Sequence, residues 1–203
     1  MEFSKEFKEA ISNFTSQEKD KLIIRLLKKD RILSHRLYFE LIDPETADDK
    51  RDQMEVLIKE EVSSVAKKFG RTKYFLPNIR KISAKITEHV KSTTDKFGEV
   101  SLTLLLISET LKNLPKTGDH YKLFIYLLNK IYRSMILTKK LDPDYYLDLG
   151  ENFEEVRNQI KLNKRLDELA LHNGLFLQWF EPENIPDQID LILKAIKGEG
   201  LLR

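Results

Sequence analysis

From Phe3 to Ile196, apolar side chains return every third or fourth residue, the period that aligns them on one face of an α-helix. No segment alternates apolar and polar residues over the length of a strand, so an all-α fold is predicted. Each helix written this way carries an apolar stripe that something must cover, and this requirement constrains the fold more than any motif does. Phe3, Phe7, Ala10, Ile11 and Phe14 share one face; Leu22, Ile23, Leu26 and Leu27 make the next stripe, and Ile32, Leu33, Leu37, Tyr38 and Leu41 the one after.

Boundaries are legible where polar residues can satisfy free backbone groups. Thr15 and Glu18 form a capping box, Asp30 reads as a new N-cap after Lys28-Lys29, and Asp43-Pro44 stops the third stripe. Residues 46–69 read as one long helix whose core face is Met54, Leu57, Ile58, Val62, Val65 and Phe69, with Gly70 as a left-handed terminator. An irregular piece is expected through Tyr74-Phe75-Leu76-Pro77, with Asn78 capping a helix that turns Ile79, Ile82, Ile86 and Val90 inward. Beyond it, 99–114 and 119–140 are apolar over much of their circumference, which suits the centre of a domain. Asp142-Pro143, a second capping box at Asn152 and Glu155, a helix end near Gly174 and a last helix from Pro186 complete the reading.

The expected product is a single domain over 1–203, an irregular bundle of eight or nine helices. A HEAT- or armadillo-like right-handed α-α superhelix is the alternative, because helix pairs here occupy about the 40-odd residues of such a unit. Unequal helices and the absence of a repeating side-chain signature favour the bundle. The start, with acids at Glu2 and Glu6, is unlike a secretory leader, and the longest apolar run, near Leu102–Ile107, is far short of a membrane span. A soluble, cytoplasmic protein without a membrane partner is expected.

Several chemistries are absent from the sequence itself. With no cysteine there are no disulfides, thiolate metal sites or thiol nucleophiles. The four histidines, His35, His89, His120 and His172, are scattered, and no serine elbow or phosphate-binding glycine loop occurs. His89 stands out, lying beside the apolar stripe where burial can shift its titration. Asp48, Asp52 and Glu55 share a helix face and could hold Mg²⁺ as in all-α nucleotide pyrophosphohydrolases, but those enzymes draw carboxylates from two neighbouring helices. Here Glu60-Glu61 lies on the same helix and Glu151, Glu154 and Glu155 are remote; acids in a first helical turn are ordinary complements of its dipole. No cofactor is expected.

Charge is nearly balanced overall, 35 basic against 33 acidic residues, but it is segregated. Residues 64–96 carry nine bases against two acids, whereas 40–61 carry nine acids against three bases. Within the basic stretch Lys67, Lys68, Arg71, Lys73, Lys81 and Lys85, with Phe69, Tyr74 and Phe75 among them, are candidate binding residues. The favoured expectation is a non-catalytic interaction or scaffold protein that binds a protein partner or a second copy of itself through opposite poles. Nucleic-acid binding through 64–96 and a Mg²⁺-dependent dUTP-type hydrolase are the alternatives.

Several strings, including Glu2-Phe3-Ser4-Lys5-Glu6-Phe7, Lys19–Asp30, Asp48-Asp49-Lys50-Arg51, Thr87–Lys91, Asp95–Leu102 and the closing Gly200-Leu201-Leu202-Arg203, resemble an uncharacterised all-helical family of Bacteroidetes-type bacteria. The resemblance implies a bacterial origin and a helical fold. Some members carry the name of a dUTP hydrolase, whose paired-helix carboxylates this chain lacks.

Overall fold

The computed structural model describes residues 2–203, which form ten α-helices and no strand. They are α1 (Lys5–Ser12), α2 (Ser16–Leu27), α3 (Arg31–Leu41), α4 (Ala47–Lys68), α5 (Thr72–Thr93), α6 (Lys96–Lys112), α7 (Tyr121–Thr138), α8 (Tyr146–Lys161), α9 (Lys164–His172) and α10 (Ile189–Gly198). Single 3₁₀ turns occur at Pro143–Tyr145, Leu177–Phe180 and Pro182–Asn184.

The fold is arranged around α6. Val100, Leu102, Leu104, Leu106, Ile107 and Leu111 are all buried, as are Ser101, Thr103, Ser108 and Thr110 between them, so hardly any of its circumference meets water. Helices α4, α5, α7 and α8 pack against it. The main contacts join helices one or two places apart in the chain, such as α4 with α6 and α6 with α8, a pattern that a bundle around α6 and a stack of helix pairs share; the contact of α7 with α10 reaches further. Thr110 Oγ1 donates to the Leu106 carbonyl at 2.6 Å and Ser108 Oγ to that of Leu105 at 3.0 Å, while Ser101 Oγ is buried with no hydrogen-bond partner among the described residues.

Local chemistry explains most boundaries. The Thr15–Glu18 box is complete, with Glu18 N–H donating to Thr15 Oγ1 and Thr15 N–H to the glutamate. Thr46 and Asp49 form a second box at the start of α4, and Asp30, Asp95 and Asn163 cap α3, α6 and α9. Four expectations are corrected. Helix α5 begins at Thr72 and runs through Pro77 without a break, because a proline so near the start removes a single backbone hydrogen bond while Phe75, Leu76 and Ile79 all reach the core. Gly70 does not adopt a left-handed conformation; α4 gives way to α5 through extended backbone at Phe69 and Arg71. Asn152 lies inside α8 and opens no helix, since Asp142-Pro143 has already started the chain turning. The segment expected to run on to Gly174 breaks at Asn163, whose side chain accepts from Leu166 N–H.

One apolar cluster runs from Ile58 to Leu202. The chain end belongs to it: Leu202 is buried, its N–H donates to Asn173 Oδ1 at 2.9 Å, and Tyr132 Oη donates to the Asn173 carbonyl at 3.1 Å. Helices α1–α3 contribute nothing to it. Not one of their described residues is buried, and the main packing of the three on the body is that of α3 along α5.

Candidate interaction surfaces

Of the sequence-predicted cations, the structure brings together a subset. Lys68, Lys81 and Lys85 line a groove of about 340 Å³ between the C-terminal end of α4 and the first half of α5, with Phe69 and Ile82 in its floor. Lys67 lies on the neighbouring depression with Ser63, Ser64 and Glu60. Arg71 and Lys73 line neither. Lys68 Nζ sits 5.5 Å from the Phe69 ring and Lys73 Nζ 5.9 Å from that of Tyr74, while Phe75 is buried in the core. This groove carries both signs. Glu61 reaches into it and pairs with Lys85, and Lys67 and Lys68 occupy the last turn of α4, where cations complement the helix dipole.

The acidic stretch is also engaged within the molecule. Lys50 joins Asp43, at 2.9 Å, and Glu45 at the entrance to α4. Arg51 pairs with Asp48 and reaches Asp95 at 2.9 Å, its guanidinium 4.7 Å from the Phe97 ring. Asp95 is nearly inaccessible and accepts from Gly98 N–H at 2.8 Å, so this ion pair locks the start of α4 to the α5–α6 corner. Asp48, Asp52 and Glu55 are not gathered around a common point: Asp48 faces Arg51 and Glu55 faces Lys59 at 3.8 Å. Among the described residues, no three His, Asp or Glu side chains are placed to hold a metal ion.

His89, on α5 beside this corner, is half-buried, and its Nε2 has no hydrogen-bond partner among the described residues. Burial pushes its pKa below the usual 6.5; Asp95 pulls it up, while Arg51 and Lys50 reinforce the depression. His120 instead pins the loop before α7, its Nδ1 2.6 Å from Thr72 Oγ1.

The surface that charge counting misses is apolar. Ten of the nineteen large apolar side chains left exposed among the described residues fall between Phe3 and Ile42, a fifth of the chain, each 39–76% accessible. Phe3 and Phe7 stack on each other at 5.2 Å, Ile23, Ile24 and Leu26 crown α2, and Leu33, Tyr38, Leu41 and Ile42 extend along α3. Their stripes are the first three in the sequence. Helix length does not set them apart: α1–α3 have 8, 12 and 11 residues, but α9 and α10, with 9 and 10, bury Leu166, Ala170, Ile189 and Ile196.

Comparison with protein-family models, with curated proteins and with solved structures returns no match, so the functional reading rests on this geometry. Among the described residues no helix is long and apolar enough to cross a membrane.

Proposed function

We propose that the protein is an interaction protein rather than an enzyme, and that it pairs with a second copy of itself through α1–α3. The observation that supports this reading is the concentration of uncovered apolar side chains across residues 3–42, whose three helices contain no buried residue. Monomeric proteins keep such patches small. Ten such side chains, each 39–76% accessible, leave on the order of 1,000 Å² per chain, so a symmetric pair that covers them buries about 2,000 Å², the size of a stable homodimer interface.

Charge favours a second copy over an oppositely charged partner. Residues 2–42 carry nine Lys and Arg against seven Asp and Glu, which gives neither strong repulsion between copies nor a field for a polyanion or an anionic bilayer. The poles at 40–61 and 64–96, bridged inside the molecule at Lys85–Glu61 and Arg51–Asp95, are secondary to this surface.

Sedimentation equilibrium of the full chain tests the reading. A mass of about twice 23.9 kDa is expected at micromolar concentration, and Ile24→Glu/Leu41→Glu, two exposed positions, should return a monomer that keeps its helical dichroism. A wild-type chain that stays monomeric, or a double variant that stays dimeric, overturns it. So does a monomer that floats with anionic vesicles, which would make the occupant a lipid surface.

A further inference from the structure

Helix α7 was expected to be buried on most sides, and its inner face is: Leu123, Phe124, Leu127, Leu128, Ile131 and Met135 all lie in the core. Its outer face is different. Between α7 and α10 runs a groove of about 450 Å³ whose charged lining is Lys130, Arg133, Lys140 and Lys197, over a floor that includes Ile136, Leu137 and Leu193. A second groove of about 380 Å³ adjoins it, sharing Tyr126 and Asn129, and its charged lining is Arg80, Lys122 and Arg203. Seven cationic side chains line the two grooves and, among the described residues, no Asp or Glu does.

That segregation is not what composition provides. Acids are almost as numerous as bases in this chain, and seventeen Lys or Arg ion pairs knit the described residues together, yet of these seven cations only Arg133 has an Asp or Glu partner among them, Glu99 at 2.8 Å. The strip is also built. Asn129 Nδ2 donates to the Leu202 carbonyl at 3.2 Å, fixing the chain end so that Arg203 joins the second groove. Arg80 and Lys130 lie 5.4 and 5.8 Å from the Tyr126 ring, from α5 and α7 respectively. Lys130 is half-buried with no counterion, and burial, aided by Arg133 and opposed by Glu99, holds its pKa below the usual lysine range. An arriving anion would supply the missing charge.

We propose that this strip, the outer face of α7 flanked by Arg80, Lys197 and Arg203, binds a single strand of nucleic acid. Lys122 and Lys140 stand roughly 25 Å apart along the helix, so the ligand is an extended chain of charges rather than one phosphate. The apolar floor favours a single strand over a duplex or inorganic polyphosphate, because unstacked bases can cover Ile136, Leu137 and Leu193, while a duplex keeps its bases inside and polyphosphate has none. This site is independent of the pairing through α1–α3 and differs from the α4–α5 groove, where Glu61 competes with any anion.

Fluorescence anisotropy with a labelled mixed-sequence single-stranded DNA of about 20 nucleotides tests it on the full chain. Binding is expected to weaken with salt at a log–log slope of about −0.7 per phosphate neutralised. Lys140→Glu/Lys197→Glu and, separately, Arg80→Glu/Lys122→Glu, all exposed positions, should each weaken binding at least about tenfold and flatten the slope by about 1.4. Lys81→Glu/Lys85→Glu should leave it within about twofold. Absence of binding, equal loss in the Lys81/Lys85 variant, or indifference to both α7-face variants overturns the proposal. Tighter binding of duplex DNA, polyphosphate or poly-glutamate at equal salt also overturns it and names the other ligand class.

Discussion

In α8, Leu149, Phe153, Val156 and Ile160 recur at intervals of four, three and four residues, and all are fully buried. In α2, Leu22, Ile23, Leu26 and Leu27 follow the same periodicity, and none is. The two helices differ in their neighbours. Helix α8 lies between α6, α9 and the 3₁₀ turns at 177–184, whereas the main packing of α2 among the described residues is against α3. Apolar spacing is a property of one helix, but burial belongs to the pair that covers it. The proposed pairing through α1–α3 rests on this difference.

The comparison can be broken most forcefully by truncating one phenylalanine in each region. Phe153→Ala, which removes a buried ring packed edge-on against Phe180 at 6.3 Å, should cost about 3–5 kcal/mol in denaturant unfolding. Phe7→Ala, made in the monomeric Ile24→Glu/Leu41→Glu background, should stay within about 0.5 kcal/mol. Similar losses at both sites would show that α1 is part of the core.

Ion pairs sharpen the same contrast. Arg51→Ala strands the buried Asp95 carboxylate and should cost about 3 kcal/mol, with strong coupling to Asp95 in a double-mutant cycle. On α3, the exposed pair of Arg36 and Glu40, at 2.7 Å, should contribute about 0.5 kcal/mol or less.

A smaller effect follows from His89. Its folded pKa lies below the unfolded value, so the unfolded chain binds the extra proton. Its contribution is therefore full above pH 6.5 and declines as pH falls from there toward the depressed folded value. Urea midpoints should drop across that window, and His89→Gln should flatten the drop; an unchanged pH profile would place the imidazole in water in both states.

The all-α class, the central helix at α6 and the caps at Thr15 and Asp30 were legible because each depends on neighbours within a turn or on sheer apolar content. Pro77 misled because a proline signals a break, while the burial of Phe75 and Ile79 that overrides it depends on distant helices. The predicted cations form a run in sequence, yet Arg71 and Lys73 fall outside the groove that Lys68, Lys81 and Lys85 share. The strip on α7 was hidden for the opposite reason. Lys122, Lys130, Arg133 and Lys140 are diluted among apolar residues, and Arg80, Lys197 and Arg203 come from elements far away in the chain. A helical projection of 121–140 would have revealed its α7 members.

Hydrogen exchange of the full chain at two concentrations, one below and one above the association midpoint, interrogates the interface most directly. Amides of α1–α3 should exchange more slowly at the higher concentration while those of α6 keep the same protection. Exchange in α1–α3 that is indifferent to concentration, in a chain whose mass does not change, would contradict the account.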